Sequence, residues 1–154
     1  MPIIHHFASL FAGAKSLTMV RSFANFKSLT GFLPDEIVRL KEHCYSRKVV
    51  VDSHFLYMGR DQDNYSQITI DFRGERYHFY RHQLSLWLKL YEDESFDLAS
   101  WDETKLTSHL CIKKRCVNPA HLTLESMDKN IERVRCFEDR HCYGHGVTAP
   151  ACIV

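Results

Sequence analysis

From residue 67 to 80 the chain reads QITIDFRGERYHFY and alternates apolar and polar positions with a period of two. Ile68, Ile70 and Phe72 share one face, and after Arg73-Gly74 the residues Tyr77 and Phe79 return to it. This pattern predicts a two-stranded antiparallel ribbon with one buried side. The opposite side carries Gln67, Thr69 and Asp71, then Arg76, His78 and Tyr80. Helical spacing flanks the ribbon. In LPDEIVRLKEHC, Ile37, Leu40 and Cys44 share a face, Pro34 suits the first turn, and Asp35 and Glu36 suit the helix dipole. Leu84, Trp87, Leu88 and Tyr91 form a second apolar stripe, expected to pack on the ribbon. Further on, LTLES reads as a short strand and MDKNIERVRC as a helix, with Ser126 or Asp128 at its N-cap and Asn130 about one turn in.

Mixed elements in 154 residues, 45% hydrophobic and 25% charged, predict a small α+β domain over residues 34–154. Residues 1–33 contain no acid and are rich in Phe, Ala and Ser. They read either as an arm or helix of the domain or as a mitochondrial-type targeting segment. With that segment as an arm, the expected location is the nucleus; with it as a targeting signal, a mitochondrion or other organelle. No run of eighteen apolar residues occurs, so no membrane span is predicted. The net charge of +1 argues against a broadly basic nucleic-acid surface. However, six acids are concentrated in EDESFDLASWDE, residues 92–103, which leaves the rest of the chain basic. The polar ribbon face then has two readings, a solvated surface or a reader of the DNA major groove through Gln67, Thr69, Arg76, His78 and Tyr80.

Five of the six cysteines fall within residues 111–152, interleaved with histidines, and the start MPIIHHFASLF lacks a charged signal-peptide region. Zinc in a reducing compartment is therefore expected over disulfides. Cys111, Cys116 and His121 follow as C-x4-C-x4-H; a fourth ligand is needed, and Cys44 is the one cysteine outside the cluster. Cys136, Cys142 and Cys152 form a second group with His145 or His141. Two structural Zn²⁺ sites of the Cys3His type then consume every cysteine.

The stretch SHLCIKKRCVNPAHLTLESMDKN, residues 108–130, resembles in order and spacing the His-Cys box of intron-encoded homing endonucleases, members of the ββα-metal (His-Me finger) nuclease superfamily. A weaker likeness covers HCY at 43–45 and RYHFYR at 76–81. The resemblance implies a zinc-stabilised fold with an antiparallel DNA-binding ribbon and a ββα-metal motif. In it His109 is the general base, Asn130 offers its amide oxygen to one Mg²⁺, and Arg76 holds the scissile phosphate. It also implies Cys44, Cys111, Cys116 and His121 as the first zinc ligands. Two departures stand out: the second zinc group is spaced C-x5-C-x2-H-x6-C, looser at its end, and His78 and Tyr80 replace long polar base-reading side chains. The implied activity is Mg²⁺-dependent hydrolysis of double-stranded DNA to 5′-phosphate and 3′-hydroxyl ends, by a homodimer with crossing C-terminal tails. The alternatives are a zinc-stabilised DNA-binding regulator without cleavage and a nuclease of low sequence preference.

Overall fold

The structure, a computed structural model, describes residues 19–57 and 65–154. The expected ribbon is present as strands β4 (Gln67–Phe72) and β5 (Glu75–Tyr80), paired so that Ile70 faces Tyr77 and Ile68 faces Phe79. Its two-residue turn has positive φ at both Arg73 (49°) and Gly74 (78°), the geometry whose twist matches the flanking strands. Arg73 is tied down in that turn by Glu36, at 2.9 and 2.7 Å, and by the carbonyls of Thr30 and Gly31. The same Glu36 carboxylate accepts from the Leu33 N–H ahead of helix α2 (Pro34–Tyr45), so one acid joins a helix start to the ribbon tip. Arg73 beside it, then the Leu33 N–H, hold the Glu36 carboxyl down to about 2.

The buried ribbon face packs on α2 and on helix α3 (Arg81–Glu92), which supply Ile37, Leu40, Leu84, Trp87 and Leu88 to one core. Residues before 34 also contribute to that core. Strand β1 (Val20–Arg21) pairs parallel to β5, and helix α1 (Phe23–Lys27) buries Phe23 and Phe26. Phe26 is fully buried at the centre, its ring 5.3–5.8 Å from those of Phe72, Tyr77, Phe79 and Trp87. The folded unit therefore begins by residue 20. Of residues 1–33, read alternatively as a targeting segment, positions 1–18 lie outside the described residues.

A second hairpin, β2 (Lys48–Val51) with β3 (His54–Tyr57), turns through positive-φ Asp52 and Ser53. It docks on the loop after residue 111, where Val117 N–H donates to the Phe55 carbonyl at 2.8 Å and Leu56 bridges to Cys116. The third sheet pairs β6 (Lys105–His109) antiparallel with β7 (Leu122–Ser126), and helix α4 (Met127–Asp139) follows at once. The α4 N-cap is Ser126, whose Oγ accepts from Lys129 N–H at 3.4 Å. Strand, loop, strand and helix thus form in the order that the pattern predicts. Among the described residues no helix is long and apolar enough to cross a membrane.

Candidate functional site

Two groups of ligand atoms come together, each within 4.8 Å: His54, Cys111, Cys116 and His121, and Cys136, Cys142, His145 and Cys152. In the first, Cys116 Sγ lies 3.6 Å from His121 Nδ1, which lies 3.1 Å from His54 Nδ1. A zinc tetrahedron with bonds of about 2.0–2.3 Å has edges of about 3.3–3.8 Å, so these donors already stand near metal-binding spacing. Two sulfurs and two imidazole nitrogens suit Zn²⁺. The Cys111 thiol donates to Cys116, which holds Cys116 well below the ordinary thiol range and pushes Cys111 up.

The fourth member of this group is His54, where the sequence offers Cys44. Cys44 sits fully buried on the inward face of α2, and its thiol donates to the Arg81 carbonyl at 3.7 Å. Burial pushes that thiol up to about 12. The two groups able to hold zinc are thus Cys2His2 and Cys3His in composition. Elemental analysis is expected to find about one zinc per chain in His54→Ala and about two in Cys44→Ala; the reverse would restore Cys44 to the site.

In the second group His145 Nε2 lies 3.6 Å from Cys136 Sγ and 3.1 Å from Cys152 Sγ, and Cys152 N–H donates to Cys142 Sγ at 3.3 Å. The outer nitrogen of His145 faces a Glu132 carboxylate oxygen at 3.4 Å, a partner that orients a ligand imidazole. His141 lies outside the group, exposed and edge-on to Tyr143. A fully buried Arg133 joins this segment to the third sheet. Its guanidinium binds both Glu125 oxygens at 2.7–3.0 Å and donates to the Pro150 carbonyl and to Cys152 Sγ. Arg133→Ala strands the Glu125 carboxylate and is expected to cost about 3–5 kcal/mol, or roughly 6–20 °C in Tm. Thermal unfolding with zinc present checks this, and a Glu125→Gln/Arg133→Met double variant should recover part of the loss.

Between β6, α4 and the start of α3 lies a cleft of about 470 Å³ whose walls include both His109 and Asn130. His109 ends β6, buried, and its Nε2–H donates to the Cys116 carbonyl at 3.0 Å. A carbonyl only accepts, so that bond assigns the proton to Nε2 and leaves the lone pair on Nδ1. Burial lowers the pKa of His109, which favours the neutral ring. Asn130 stands in the first turn of α4, where its Oδ1 accepts from the Ser108 hydroxyl. That bond fixes which way the amide points. One oriented amide oxygen suits Mg²⁺, a hard cation that keeps most of its waters and takes phosphate oxygens from the substrate.

Arg76 is not part of this cleft. It pairs with Asp71 at 2.8 and 3.3 Å on the exposed ribbon face, four residues or about 13 Å along β5 from Tyr80, whose ring reaches the cleft wall. The extended strand separates it from the two residues with which it was expected to act. Lys114 is the one Lys or Arg among the described cleft-lining residues. The remaining ribbon residues are exposed as expected, in a bonded row: Thr69 Oγ1 to His78 Nδ1 at 2.8 Å and His78 Nε2 to Gln67 Oε1 at 3.1 Å. A second groove of about 450 Å³, lined by Gln67, His78, Gln83 and Lys105, shares Tyr80, Leu106 and Thr107 with the first. The polar ribbon face and the His109 cleft are thus continuous.

Sequence reasoning missed His54, Lys114 and His82. His54 sits in a hairpin without periodicity, and the other two carry no motif. No curated protein and no solved structure matches the chain. A family model described as the zinc-binding loop region of homing endonuclease matches residues 49–154, roughly two thirds of the sequence. That span contains both metal-ligand groups, the ribbon and the His109 cleft. Such a family has nuclease and DNA-binding function, and two Cys/His groups able to hold structural zinc agree with it. On its matched span and its paired ligand groups, the chain belongs to the His-Cys box homing endonuclease family.

Proposed function

We propose that this protein is a Mg²⁺-dependent, zinc-stabilised endonuclease that cuts double-stranded DNA, leaving 5′ phosphates and 3′ hydroxyls, and that it works as a homodimer. The hydrogen bond from His109 Nε2 to the Cys116 carbonyl carries this reading, because it presents the basic Nδ1 of a neutral ring at the same cleft as Asn130. His109 takes a proton from the attacking water at Nδ1. Its Nε2–H stays on the Cys116 carbonyl throughout, so the ring keeps its orientation as it becomes charged. Asn130 holds the metal by Oδ1, with Ser108 steadying the amide. Mg²⁺ held there would supply charge stabilisation for phosphodiester hydrolysis. Lys114 adds positive charge at the cleft, and Gln67, Thr69, Arg76, His78 and Tyr80 line the DNA track that leads to it.

Nicking of supercoiled plasmid tests the reading. The wild-type chain is expected to nick and then linearise plasmid with Mg²⁺ and to do neither in EDTA. Asn130→Ala should need much higher Mg²⁺ for residual cutting. Tight DNA binding with no cutting at any Mg²⁺ concentration would favour the non-cleaving regulator. Discrete fragments from genomic DNA support a site-specific enzyme, and a smear supports one of low sequence preference.

A further inference from the structure

Three side-chain polar atoms among the described residues are buried without a hydrogen-bond partner: His82 Nδ1, Trp87 Nε1 and Thr107 Oγ1. Trp87 belongs to the hydrophobic core, whereas His82 and Thr107 line the cleft that holds His109 and Asn130. Folded proteins pair nearly all such groups, so unpaired ones gathered at a cleft point to a ligand that completes them.

His82 is the stronger case. It is the second residue of α3 and only 7% exposed. Its ring lies 4.8 Å from that of His109 and between Tyr65 at 5.1 Å and Tyr80 at 5.6 Å. A phenyl ring would fill this aromatic nest equally well, yet the position holds an imidazole. Its Nδ1 has no hydrogen-bond partner among the described residues. Burial, and then His109 beside it, lower its pKa well below 6.5, so the ring is uncharged. An uncharged imidazole still offers one N–H donor.

We propose that His82 is a second substrate-contacting imidazole, donating an N–H hydrogen bond to an oxygen of the DNA phosphate attacked by the water that His109 activates. This rests on the nuclease reading above. His82 keeps its proton, and the bond strengthens as negative charge builds on the phosphate oxygens, so its effect falls on kcat more than on KM. Because the donor is uncharged, it does not oppose the positive charge that His109 acquires. A cation in its place would.

The test compares His82→Phe, which keeps the ring and its packing, with His82→Gln, which keeps an N–H donor, in plasmid nicking with Mg²⁺. Zinc content and far-UV circular dichroism check folding. His82→Phe is expected to lose about 100-fold in kcat with KM within a few-fold, the size seen on removing one preorganised donor. His82→Gln is expected to recover to within about tenfold of wild type. Wild-type rates in His82→Phe, or a greater loss in Gln than in Phe, would reduce His82 to packing and overturn the proposal. Should His82→Phe fail to fold, a folded His82→Gln with a KM raised and kcat unchanged overturns it as well. Absence of nicking by the wild-type chain instead removes the nuclease reading itself.

Discussion

Chelating both zinc ions is expected to unfold the chain from about residue 110 onward while leaving the ribbon core standing. From that point the buried apolar residues are Leu110, Val117, Leu122 and four cysteines, all of them in the two candidate ligand groups: Cys111, Cys116, Cys136 and Cys152. With so little hydrocarbon inside, the metal sites must hold the segment. Each structural zinc contributes on the order of 10 kcal/mol of apparent binding energy, against a net stability of about 5–15 kcal/mol for a whole domain. The other half is built differently, with Phe26, Trp87, Leu84 and the ribbon face packed together without a metal ligand among them. Circular dichroism should therefore fall only in part on zinc removal, with new binding of a hydrophobic dye. Elemental analysis of the untreated protein should give about two zinc ions per chain. A chain that melts at the same temperature and with the same cooperativity after zinc removal would contradict the site geometry.

The second large effect is expected from His109→Ala, with nicking reduced by about 10²–10⁴-fold, the range supplied by a positioned general base. Plasmid affinity should change little, because the polar ribbon face lies along the other groove. Zinc content should stay near two, since His109 belongs to neither ligand group. The three readouts separate a lost base from a lost fold. Cutting by His109→Ala at the wild-type rate would transfer the base to another group, with His82 the first to examine.

Much of this arrangement is legible in the sequence because the relevant signals are local. Alternation from Gln67 to Tyr80 announces the ribbon, and Arg73-Gly74 marks its turn. Ser126 and the following residues announce α4, and with it the position of Asn130. Cysteine and histidine spacing singles out seven of the eight residues that gather into the two groups, since seven of them lie in residues 111–152. The eighth is hidden. Lys48–Val51 is exposed at every position, so no alternation marks the strand, and its hairpin turns on Asp52-Ser53 instead of a glycine pair. Cys44 attracts the assignment by chemistry alone, yet the helix stripe that it shares with Ile37 and Leu40 sends it to the core. The five residues of α1 are too few to show a period, so the early core residues Phe23 and Phe26 read as an arm. The remoteness of Arg76 from His109 depends on how the ribbon meets the third sheet, a long-range matter that no local pattern records.

Cys116 offers its sulfur to a metal group and its carbonyl to the His109 ring. One residue thereby couples the metal-ligand group to the orientation of the His109 ring. On the nuclease reading, loss of zinc is expected to slacken that loop and free the imidazole to change tautomer and orientation while the ribbon core persists. The expected product is a chain that keeps its ribbon but no longer aims the base, a dependence carried by one residue.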